Sequence, residues 1–76
     1  MGWTVDVDDE NAVSLVHDEE FLLYARRGHE RDGHTKWTIE ITDTNTGEEI
    51  ERETYEISNR QHLRSVLDRY TDVYPP

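Results

Sequence analysis

The chain predicts a single small α+β domain over residues 1–76, with a three- to four-stranded, mostly antiparallel sheet and one C-terminal α-helix packed on it. Three observations carry this. Lys36–Thr42 alternates polar and apolar residues with the period of a half-buried strand. A turn-forming run, Asp43-Thr44-Asn45-Thr46-Gly47, follows it. Leu63, Val66, Leu67 and Tyr70 recur at the spacing of one helix face. With 76 residues there is room for one domain. A chain this short buries about 60% of its unfolded surface, which leaves a thin stability margin. Ile, Leu, Val and Phe make up 16 of 76 residues, just above the level of roughly 20% below which disorder is expected. Two Trp and four Tyr add large apolar area and favour a packed core. Cysteine is absent, so neither disulfides nor thiolate metal sites contribute.

In chain order, Trp3, Val5 and Val7 alternate as a first strand, which Asp8-Asp9-Glu10-Asn11 ends. Ala12 to Val16 fits a short strand or one helical turn equally well. Glu20–Arg26 is short, apolar and aromatic, as in a strand buried on both sides. On Lys36–Thr42, the residues Trp37, Ile39 and Ile41 share one face. Glu49–Ile57 should be the returning strand of that hairpin, with Gly47 free to take positive φ in the turn. Its parity breaks, because Ile50 falls on one face and Tyr55 and Ile57 on the other; a bulge near Arg52–Thr54 would reconcile them. Ser58-Asn59-Arg60-Gln61 reads as a capping box, with Ser58 accepting from the Gln61 amide. Arg64 and Asp68 are spaced as an i,i+4 pair, and Tyr74-Pro75-Pro76 should end the chain extended.

Charge is the strongest functional signal. The formal net charge is −10, and its sign alternates in blocks. Residues 1–25 hold seven acids and no base, whereas Arg26, Arg27, Arg31 and Lys36 outnumber Glu30 and Asp32 in the next eleven. Residues 37–59 return to seven acids against Arg52, and residues 60–76 are nearly balanced. Such blocks speak to solubility and partners rather than to fold. There is no glycine-rich phosphate loop, GxSxG or HExxH, and Ser14, Ser58 and Ser65 lie in no nucleophile motif. The expectation is therefore a non-enzyme with no cofactor and no metal. His29-Glu30-Arg31-Asp32-Gly33-His34 has metal-ligating side chains, but the surrounding arginines would repel a cation, and a solvated hairpin loop is the reading adopted. His17 and His62 are isolated and expected in structural roles. No secretory signal and no apolar run of about 20 residues is present, which predicts a soluble, cytoplasmic protein without membrane partners.

Two explanations of the acid stand side by side. Seven arginines against one lysine, with abundant Asp, Glu and Thr, resemble the composition of proteins from salt-loving archaea or their viruses. On that reading the acid is solvent adaptation. On the other, it is a binding surface. Glu49, Glu51 and Glu53 alternate, and Ile41 opposite Ile50 would set Glu40 across from Glu51. Residues two apart on a strand are separated by roughly 6.6–6.8 Å, commensurate with a phosphate row at about 3.4 Å per nucleotide. In size, charge and lack of catalytic motifs, the chain looks like small anti-CRISPR and antirestriction inhibitors that occupy basic nucleic-acid channels. That likeness implies a protein partner with a basic surface, contacted by Glu40, Glu49, Glu51 and Glu53, with Asp6, Asp8, Asp9 and Glu10 as a second patch. Arg26, Arg27, Arg31 and Lys36 form a basic loop that suits nucleic acid or, with Arg60 and Arg64, the acidic strands of a second copy in a homodimer. Direct nucleic-acid contact ranks lower, because a chain of −10 repels a polyanion.

Overall fold

A computed structural model describes residues 2–18 and 20–74. Five strands follow one another, β1 (Trp3–Asp8), β2 (Ala12–His17), β3 (Phe21–Arg31), β4 (His34–Asp43) and β5 (Glu48–Ile57), and helix α1 (Arg60–Val73) closes the chain. They form one sheet in sequence order, each strand antiparallel to the next. The sheet thus exceeds the expected three to four strands. The extra strand is β2, where Val13 and Leu15 bracket Ser14 and the backbone pairs on both sides, so extended structure wins over a helical turn.

Alternation on β4 places Trp37, Ile39 and Ile41 against the helix, as expected, and all three are buried. Leu23 and Ala25 of β3 and Val13 of β2 extend that layer, and Ile57 closes it on β5. The α1 stripe of Leu63, Val66, Leu67 and Tyr70 covers it, and all four are buried. Burying such side chains is worth roughly 1.5–3 kcal/mol each, so this layer supplies most of what holds the fold. The other sheet face is uncovered among the described residues. β3 is therefore buried on one side and not on two, and Tyr24 on its outer face remains 37% exposed.

Irregularities adjust the faces. A bulge between Val5 and Val7 sends Val7 to the face opposite Val5, so the first strand does not keep one alternation. On β3 a second bulge lies between Arg27 and Glu30. Its Gly28 sits close to the facing strand, since a Cβ there would lie 3.0 Å from the Lys36 carbonyl oxygen, a tight contact. The β3–β4 hairpin then closes through Asp32 and Gly33, both at positive φ, as a two-residue turn requires. Between β4 and β5, Gly47 takes φ 78° as expected, and Asp43 accepts the Asn45 amide at 2.9 Å.

The helix start differs by one residue from the expected box. Asn59, not Ser58, is the N-cap, accepting the His62 amide at 2.8 Å. The His62 ring accepts from the Ser58 amide at 3.2 Å. Arg64 and Asp68 do not pair; both line a groove beside β1. At the far end, Trp3 donates through Nε1 to the Tyr74 carbonyl at 3.0 Å, and Phe21 packs on the Tyr74 ring. Pro75 and Pro76, expected to be extended, lie outside the described residues. No helix among the described residues is long and apolar enough to cross a membrane.

Candidate partner-binding surface

Register decides which acids share a face. Ile41 pairs with Glu51 and Glu40 with Arg52, so the expected pairing of Ile41 with Ile50 and Glu40 with Glu51 does not form. The shift arises at a bulge around Ile50, earlier than the Arg52–Thr54 position inferred from parity. Placed there, it turns Tyr55 and Ile57 toward the helix and sets an arginine, rather than a like charge, across from Glu40. Ile50 is left 44% exposed.

The four glutamates expected to form one patch are consequently divided. Glu49, opposite Thr42, shares the open face with Glu40. There Arg52 donates to Glu49 at 2.8 Å and to Glu40 at 3.3 Å, and Arg26 lies 3.7 Å from Glu40. The Glu49 hydrogen bond, then the charges of Glu49 and Glu40, hold the Arg52 guanidinium even more firmly protonated than usual. Glu51 and Glu53 occupy the helix-side face, in register with Ile41 and Ile39. An acid on a helix-facing row risks burial at a cost. The edge position avoids it, because Glu53 stays exposed and half-buried Glu51 accepts from the Tyr74 hydroxyl at 2.6 Å.

A seam of tyrosines runs beside these two acids. Tyr55 and Tyr70 share a hydrogen bond at 2.7 Å with their rings edge to face. Burial, then the bond to Tyr55 and the charges of Tyr55, Glu51 and Glu53, push the Tyr70 hydroxyl well above the ordinary tyrosine range. The Glu51 hydrogen bond raises Tyr74. Sequence reasoning counted Tyr70 as apolar and missed this seam. The available signal was that a buried tyrosine needs a partner for its hydroxyl.

The second acidic segment mostly serves the fold. Asp8 accepts from Arg60 at 3.3 Å, and the Asp9 carboxylate accepts the amides of Asn11 and Ala12 in the β1–β2 turn. Arg60 also donates to the Asp9 carbonyl and stacks over Trp37. Asp6, in the β1 bulge, and Glu10, at the turn, are exposed. The basic loop is likewise engaged locally. Arg27 meets Glu30 at 3.4 Å, Arg31 meets Asp32 at 4.0 Å, and Lys36 lies opposite Glu56. Its histidines do not converge with other ligands; among the described residues no three His, Cys, Asp or Glu side chains are grouped to hold a metal. Between β1 and α1 lies a groove of about 350 Å³, walled by Trp3, Val5, Leu15 and Leu67, with Arg64 and Asp68 at its rim.

What remains is the β5 edge. Among the described residues β5 pairs with β4 alone, and Glu48, Glu51 and Glu53 line its helix side beside Tyr55 and Tyr74. Extended backbone groups, carboxylates and aromatic rings there suit an extended basic segment, by strand addition and by charge-assisted contacts to arginine. No family model, curated protein or solved structure matches the chain.

Proposed function

We propose that this chain is a non-catalytic binding module that lays its β5 edge against a basic surface of a partner protein, of the kind that holds nucleic acid. Glu48, Glu51 and Glu53 stand in for phosphates, and Tyr55 and Tyr74 flank them as stacking surfaces. The observation that supports this is the unpaired β5 edge with carboxylates on its helix side, outside the Arg52 network that neutralises Glu40 and Glu49. Glu51 and Glu53 are two residues apart on a strand, roughly 6.8 Å, which spans two phosphate steps. The reading is anti-CRISPR-like or antirestriction-like in its physics, with inhibition following from occupancy of the basic channel.

The test uses a labelled arginine-rich peptide and the full chain. Amide shifts on binding should concentrate on β5, and Glu51→Gln with Glu53→Gln should weaken association and flatten its salt dependence. Glu40→Gln with Glu49→Gln removes the same formal charge from the neutralised face and should change binding far less. Equal losses in the two double variants would mean that the peptide senses net charge and not this edge. The same peptide should release single-stranded DNA when the chain is added, and release unaffected by Glu51→Gln/Glu53→Gln would also refute the proposal.

A further inference from the structure

The open face of the sheet has a property that the net charge conceals. Following the register across the strands, one row is Ser14, Tyr24, Glu40 and Arg52, and the next is Val16, Leu22, Thr42 and Glu49. A third row is Ala12, Arg26, Thr38 and Thr54, and Lys36 faces Glu56 beyond it. Over the body of the sheet, Arg26, Lys36 and Arg52 are matched by Glu40, Glu49 and Glu56. Across β2 to β5, short of the hairpin tip, the face is balanced, and the formal charge of −10 is carried elsewhere. Its β1–β3 half is apolar, with Val7 and Val16 each 38% exposed and Tyr24 37% exposed. Its β3–β5 half is an alternating set of bases and acids held in place by mutual contacts.

We propose that this face is the interface of a homodimer, with a second copy packed sheet against sheet. A two-fold contact requires a surface complementary to itself. An apolar strip satisfies that requirement by meeting its own copy, and the linked set Arg26–Glu40–Arg52–Glu49 satisfies it by exchanging partners across the axis. A chain of −10 repels its copy from most directions, and the neutral face is the approach on which repulsion is least. Two such sheets would lie about 10 Å apart with interdigitating side chains. This differs from a dimer joining the basic loop to acidic strands, since it brings together surfaces that are each already neutral.

Size and salt set its behaviour. Strands about 4.8 Å apart, six residues long in β1 and β2 and ten or eleven in β3 to β5, give a face about 24 Å wide and roughly 20–35 Å long, about 700 Å² in projection. That is below the ~800 Å² per partner of a standard interface, so association is concentration-dependent. Because the remaining charges repel, the dimer tightens as salt rises. Binding of a basic partner at the β5 edge weakens under the same change, so the two can fail independently.

Sedimentation equilibrium of the full chain at about 0.1 M and about 3 M KCl, from micromolar to millimolar protein, tests this. The mass should rise from 9.0 kDa toward twice that value with protein concentration. The dissociation constant should fall by roughly tenfold or more at high salt. Val16→Glu and Thr54→Glu each put an unmatched charge on the face and should hold the chain monomeric, with circular dichroism confirming that at least one of them folds. Glu51→Gln/Glu53→Gln should leave the dimer intact. A 9.0 kDa species under every condition would overturn the proposal. So would a dimer untouched by a folded face variant, or one that salt dissociates.

Discussion

Tyr70 concentrates the chemistry of the helix–sheet junction in one hydroxyl. Burial, then its bond to Tyr55 and the nearby charges of Glu51 and Glu53, push its proton loss above the pH at which a free tyrosine ionises. Because the folded value lies above the unfolded one of about 10, the resulting stability is complete below that pH and is lost as pH rises through the folded value. Tyr70→Phe should therefore cost about 1 kcal/mol near neutrality and flatten the alkaline loss, read by urea unfolding from pH 7 to 11. Gly28→Ala tests a different constraint. With backbone oxygen 3.0 Å from the new Cβ, the Lys36 strand must give by a few tenths of an ångström, and a loss of about 1 kcal/mol is expected in the same assay. In neither case was the facing group legible in the sequence. A glycine in a basic loop looks like any loop glycine until the opposing carbonyl is known. A tyrosine on an apolar stripe does not disclose the donor or acceptor across from it.

At the scale of elements, the regular patterns were readable and the irregular ones were not. Period alone located Trp37, Ile39 and Ile41 on one strand face, and Leu63, Val66, Leu67 and Tyr70 on one helix face, because burial acts on every repeat of the pattern. The bulge was foreseen from the conflict between Ile50 and Tyr55, yet its position was not. Two placements satisfy the same parity, and the cross-strand match of Glu40 to Arg52 selects between them. That choice divided the expected acidic patch between two faces. The helix cap was foreseen one residue early for a similar reason, since Ser58 and Asn59 are both good N-caps. Asn59→Ala should lower stability by about 1 kcal/mol, and Ser58→Ala by less, in paired denaturant titrations. The helix is otherwise poorly matched to its own dipole, with no acid in its first turn and no base in its last. Packing must hold it. Leu63→Ala should cost about 2–5 kcal/mol, enough to unfold much of the population of a domain this small.

For the whole molecule, the relevant quantity is where the −10 resides and not its size. One sheet face is balanced, the helix carries three arginines against two aspartates, and β1, the turns and the β5 edge carry the excess. Equilibrium unfolding at about 0.1 M and about 3 M KCl should show a folded chain at both, with higher stability at the second as repulsion is screened. A chain that folds only in molar salt would make the acid a solvent adaptation and remove the support for a basic partner. The fold also has a kinetic consequence. Each strand pairs with its neighbour in sequence, so most of the sheet forms through short loops that close quickly. The bond from Trp3 to Tyr74 spans 71 residues and is a clasp available only once the meander and helix are in place. Trp3→Phe should then speed unfolding while leaving the refolding rate nearly unchanged, as followed by stopped-flow fluorescence of Trp37. How long the native state persists would thus be governed by one indole at the start of the chain and one carbonyl near its end.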